Sequence, residues 1–109
     1  MVWQKSFALF LSIHRFSKKL PPEERYELGS QIRRAGFSMP SNIAEGSAKR
    51  TNAHKKSFLE ISLGSAFELE TAFFAIIELY PIYKQECETY LAQIVEVQKM
   101  LTSLIDKLI

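Results

Sequence analysis

The chain has 109 residues, 47% of them apolar and 24% charged, a balance that supports one buried core and excludes an intrinsically disordered chain. The longest uninterrupted apolar run, AFFAII at 72–77, is far short of the roughly 20 residues that a membrane-spanning helix needs, so no membrane role is expected. The net charge of +2 hides a division: residues 1–56 hold eleven Lys and Arg against four Glu, and residues 57–109 hold three against eight acids, which suits either an anionic partner or the pairing of basic with acidic helices.

Residues 2–19 read as a first helix. Trp3, Phe7, Phe10 and His14 recur at helical spacing, and Leu9, Ile13, Phe16 and Leu20 form a second stripe. FALFLSI, within this helix, has the hydrophobicity of a signal-peptide core but lacks a small-residue cleavage site. Pro21-Pro22 ends the helix, because proline disfavours helical backbone at the residue before it. The same prolines, followed by Glu23 and Glu24, suit the first turn and positive dipole of a second helix.

That second helix is predicted over 22–46, with Leu28, Ile32, Ala35 and Met39 on its stripe. Pro40 predicts a kink, since a proline removes one backbone hydrogen bond and crowds the residue four before it. That residue is Gly36, which leaves room for a kinked but continuous helix. The alternative is a break, with Asn42 capping a new helix and Glu45 three residues on. A third helix is predicted over 52–80 after the N-cap Thr51, ended by Pro81. Its stripes are Leu59, Leu63, Ala66, Phe73, Ile77 and Phe58, Leu69, Ala72, Ile76, Leu79. Ser62, Gly64, Ser65 and Ala66 offer a small-residue surface for close helix approach. The fourth helix, 82–108, has the most regular seam: Cys87, Tyr90, Ile94, Val97, Leu101, Leu104 and Leu108. Short connections and the absence of strand-type alternation predict an all-α, antiparallel up-down four-helix bundle, a single domain over 1–109, with the second helix kinked at Pro40. The first and third helices carry more apolar surface than one core needs, which predicts a homo-oligomer.

The candidate chemistry is sparse. A di-iron bundle needs Glu-x-x-His, yet Leu11 and Thr51 stand three residues before His14 and His54. His14 reads as a packed histidine and Cys87 as a small core residue. Cys87 is the only cysteine, so no internal disulfide can form, and a cytoplasmic location is expected. Glu70 falls on an apolar stripe and should find a cation; Arg33 and Arg34 are the expected partners in a structural ion pair. Lys49, Arg50, His54, Lys55 and Lys56 cluster at the turn between the second and third helices. Such a run reads either as a solvated helix start or, since cations are disfavoured at a helix N-terminus, as a site for nucleic-acid phosphates. No aromatic residue is interleaved with it, so base stacking is not indicated.

QIRRAGFSMPSNIAEGSAKR at 31–50, FLEISLGSAFELET at 58–71 and VWQKS near the start resemble the four-helix-bundle family first named from open reading frames in 23S rRNA intervening sequences. The resemblance extends over almost the whole chain. It implies a left-handed bundle that assembles into a ring, a pentamer. It makes Pro40, Asn42, Glu45 and Gly46 a structural motif that packs or caps the kinked helix. A relative, the accessory variability determinant of diversity-generating retroelements, binds nucleic acid and a reverse transcriptase through basic surfaces, which implies the same two kinds of partner. The expectation is a non-enzymatic oligomer, without catalytic residues, metal or cofactor, that binds RNA or DNA through its basic edge. The alternative is an interaction or scaffold bundle with no nucleic-acid role.

Overall fold

A computed structural model describes residues 1–108. The helices are α1 (Val2–Ser17), α2 (Pro22–Arg25), α3 (Leu28–Ser47), α4 (Asn52–Leu79) and α5 (Lys84–Lys107), with a 3-10 turn at Pro81–Tyr83 before α5. Cross-helix contacts fix the directions. Phe10 meets Phe37 and Ser17 meets Arg33, so α1 and α3 are antiparallel. Met39 meets Ser62, while Glu24, just before α3, meets Tyr80 just after α4. Gln98 meets Glu70 and Tyr90 meets Phe73. Lys5 pairs with Glu96 at 3.0 Å and Lys19 with Glu86 at 3.0 Å, closing α5 back on α1. The four long helices run up, down, up and down around one core in the ring order α1, α3, α4, α5. Among the described residues there is no strand.

The core is built from the predicted stripes, with two shifts. In α1, Leu9, Ile13, Phe16 and the following Leu20 are buried. The aromatic stripe Trp3, Phe7, Phe10 and His14 lies instead on the outer flank facing α3, where Trp3 stacks on Phe7 at 5.0 Å and His14 sits edge-on to Phe10 at 5.9 Å. In α5, Cys87, Ile94, Val97 and Leu101 are buried as spaced, but Leu104 is 37% exposed and Ile105 takes its place in the core. A strict alternation of three and four averages 3.5 residues per turn, whereas a straight helix keeps 3.6, so the buried face drifts along the helix.

The second segment follows a different course from the predicted one. Its kink lies at Tyr26 and Glu27, between α2 and α3, and α3 passes through Pro40 without interruption. Arg33 explains the turn. Its guanidinium donates to the Arg25 carbonyl at 2.9 Å and to Ser17 Oγ at 3.1 Å, and Arg25 Nε donates to the Leu20 carbonyl at 3.3 Å. The chain therefore folds back on the start of α3, where a Cβ on Gly29 would lie 3.0 Å from the Glu24 carbonyl oxygen.

Around Pro40 the helix is held by polar bonds. The Asn42 amide donates to the Ser38 carbonyl at 2.8 Å and to Ser38 Oγ at 2.9 Å. Ser65 Oγ on α4 donates to Ser38 Oγ at 2.7 Å, and Ser62 Oγ donates to the Met39 carbonyl at 2.9 Å. Asn42 is therefore a mid-helix strap and not a cap. Ser62, Ser65 and Ala66 form the close-packed face expected of the small-residue cluster. Gly64 points away from it, with nothing within 4 Å of an added Cβ.

Candidate nucleic-acid interface

Antiparallel packing brings the C-terminus of α3, the N-terminus of α4, the N-terminus of α1 and the C-terminus of α5 to one end of the bundle. Ala48, Lys49 and Arg50 form the turn there, closed by backbone bonds from Ala48 to Glu45 and from Lys49 to Gly46. Thr51 starts α4 as predicted, its Oγ1 accepting the His54 amide at 3.2 Å. Gly46 sets how closely the helices meet. It is buried, and a Cβ there would fall 2.9 Å from the Cβ of Phe58.

The five predicted basic residues share this end but have different surroundings. Lys55 Nζ donates to the Ser47 carbonyl at 3.3 Å. Its charge thus sits at the negative end of α3, which offsets its unfavourable place at the start of α4. Lys49 Nζ lies 5.0 Å from the centroid of the Phe58 ring, a cation–π distance. Arg50, His54 and Lys56 are exposed, and no ion pair engages them among the described residues. Phe58, just beyond the cluster in sequence, is half-buried and supports Lys49 rather than offering an open face to a base. Lys107, at the end of α5, lines the same cavity as Lys55. Sequence spacing did not single it out; the up-down topology brings it here.

The predicted ion pair of Glu70 with Arg33 or Arg34 does not form. Glu70 Oε1 accepts from Gln98 Nε2 on α5 at 3.1 Å. Arg33 closes the turn described above, and Arg34 donates to Ser30 Oγ at 3.3 Å. Residues two apart on a helix diverge by about 200°. Glu68 therefore shares a groove with Arg34, Ser38 and Ser65, while Glu70 faces α5. Within the motif, Pro40 and Gly46 are buried and Asn42 straps the helix. Glu45 is exposed and its carboxylate makes no hydrogen bond among the described residues, but its backbone carbonyl accepts the Ala48 amide at 3.2 Å where α3 ends.

The side chains gathered at this end can bind anions; the bonds among them include no carboxylate–histidine or cysteine–histidine pair. Two titrating groups are strongly shifted, both away from this end. Tyr80 is pushed up from 10.0 to about 12, first by its hydrogen bond to Glu24 and then by burial. Cys87 is pushed up from 9.0 to about 11 by burial, with a smaller effect of Glu86.

The sequence model of the 23S rRNA-intervening sequence proteins matches residues 1–103, a span that includes the Pro40–Gly46 motif and the whole basic turn. The chain belongs to that family. A crystal structure of a protein of unknown function from the S23 ribosomal protein family of Bacteroides thetaiotaomicron has the same fold, with a TM-score of 0.90 at 27% identity over 96% of this chain and 98% of that one. No curated protein matches the chain. The family match and the crystal structure carry the bundle, and no established function comes with them. Among the described residues, no helix is long and apolar enough to cross a membrane.

Proposed function

We propose that this family member is a non-enzymatic, self-assembling bundle that binds the phosphate backbone of RNA or DNA with its basic end. The observation that carries the reading is the exposure of Arg50, His54 and Lys56 without an ion-pair partner among the described residues. Lys49 and Lys55 hold two further charges at the same turn. Cations on phosphates fix position without reading bases, so binding is indifferent to sequence. By analogy with the retroelement accessory protein, a reverse transcriptase is the protein partner to test first. Assembly is supported by two unlike apolar faces. Trp3 and Phe37, 40% and 53% exposed, lie on the α1–α3 side; Phe67 and Phe74, 52% and 54% exposed, lie on the opposite α4–α5 side. Unlike faces on opposite sides favour a heterologous contact, which closes into a ring when the rotation permits; a pentamer fits that geometry.

Fluorescence anisotropy with labelled duplex DNA and RNA tests the site. Wild type should bind at low salt, and a Lys49→Gln, Arg50→Gln, Lys55→Gln, Lys56→Gln variant should not, with helix content intact. Light scattering tests assembly: Phe37→Glu should lower the particle mass without unfolding the chain. A ring that assembles and binds neither nucleic acid would instead favour the scaffold reading, to which the same apolar faces also point.

A further inference from the structure

We infer that the basic end also contains a binding cavity for a small amphiphilic anion, an alkyl tail carrying an anionic head group. Between the ends of α3, α4 and α5 lies a cavity of about 260 Å³, just under the roughly 300–1,000 Å³ of typical small-molecule pockets. Ile43, Leu59, Leu104 and Leu108 form its walls together with the stems of Lys55 and Lys107, and the wall is carbon throughout. Gly46 lines it too, and a Cβ there would fall 2.9 Å from the Cβ of Phe58.

The chemistry at the mouth selects the occupant. Lys55 spends one N–H on the Ser47 carbonyl, which leaves two of its three donors free. Lys107 is exposed and has no ion pair among the described residues. Among the described residues, the only charged side chains that line the hollow are these two lysines, which matches a ligand whose head is anionic and whose tail is hydrocarbon. A nucleic-acid phosphate would satisfy the lysines and leave the apolar walls bare, so this site goes beyond the proposed function and needs no nucleic acid for its test.

Isothermal titration calorimetry with decanoate, below micelle formation, reads the site directly. One decanoate should bind per chain, with affinity falling about fourfold per methylene toward hexanoate. Decyltrimethylammonium should bind at least about tenfold more weakly. Lys107→Gln should weaken decanoate about fivefold, and Leu104→Trp, at a partly exposed wall position, should fill the cavity and abolish binding while thermal unfolding stays cooperative. Equal affinity for the cationic probe, or no dependence on tail length, overturns the inference. So does a failure of decanoate to bind, or a Leu104→Trp variant that keeps decanoate affinity and changes the oligomeric mass, which would assign the cavity to a second copy of the chain.

Discussion

A Cβ on Gly46 would lie 2.9 Å from a side chain of α4, whereas one on Gly64 would meet nothing within 4 Å. The same substitution should therefore have opposite effects. Gly46→Ala forces α3 from α4 and should destabilise by about 1–3 kcal/mol. Gly64→Ala removes only the conformational cost of glycine in a helix and should stabilise by about 1 kcal/mol, raising Tm by roughly 4–8 °C. A Gly64→Ala protein that melts below wild type would show that the residue has a packing role. Tyr80 and Cys87 give a pH window. Both are neutral when protonated, and folding raises both values, from 10.0 to about 12 and from 9.0 to about 11. Their contribution to stability is present below the unfolded values and is lost as pH rises from 9 to 12. Urea unfolding across that range should show falling stability, with a shallower slope in Tyr80→Phe and Cys87→Ala. At neutral pH, Ellman's reagent should reach the buried Cys87 only through unfolding. At this scale the sequence was a partial guide. Burial of Cys87 and the cap at Thr51 follow from local pattern. The partners of Glu70, Arg33 and Asn42 depend on the register between helices, which spacing within one helix does not contain.

Helix existence was legible because four apolar periodicities of three and four residues are bounded by Pro21-Pro22, Pro81 and Thr51, each with a local steric or hydrogen-bonding reason to end or start a helix. The interior breaks were less so. Pro40 marks the strongest local disruption, yet the Ser38–Asn42–Ser65 bonds hold the turn, while Gly36 serves the close approach of Phe10 on α1. The kink at Tyr26–Glu27 has no comparable signal, since a distant arginine closes it. The same limit governs α5. Leu101 and Leu104 look equivalent in the seam, but Leu101 is 0% exposed and Leu104 37%. Leu101→Asp buries an unpaired charge and should cost several kcal/mol, out of a typical total of about 5–15 kcal/mol, enough to unfold the chain. Leu104→Asp should keep the fold. Circular dichroism melts on the two variants decide the point, and equal losses would mean that the buried face of α5 runs through Leu104 after all.

The whole bundle is 44 Å long and 22 by 19 Å across, and antiparallel packing sorts its charges in a way the linear sequence conceals. Lys107, from near the C-terminus of the chain, joins the end that holds Lys49, Arg50, Lys55 and Lys56, while Lys5 is paired with Glu96 half-way along α5. The α2 turn, with Glu23, Glu24 and Glu27, lies at the other end. If the four charges of the turn each neutralise one phosphate, about four counterions are released per chain, and log affinity should fall with log salt at a slope near about −3.6 on duplex DNA. If Lys55 keeps its place on the Ser47 carbonyl and takes no phosphate, the slope is near about −2.7. Anisotropy titrations between roughly 50 and 200 mM salt separate the two, because affinity then falls about 150-fold or about 40-fold. Lys55→Gln supplies the check: it should leave a slope of −2.7 unchanged and reduce one of −3.6 by about 0.9. Slopes steeper than either mean that neighbouring chains of an assembly engage one strand, and Phe37→Glu should then return the slope toward the single-chain value. A slope near zero in wild type would remove the phosphate backbone as the partner of this end, whatever else binds there.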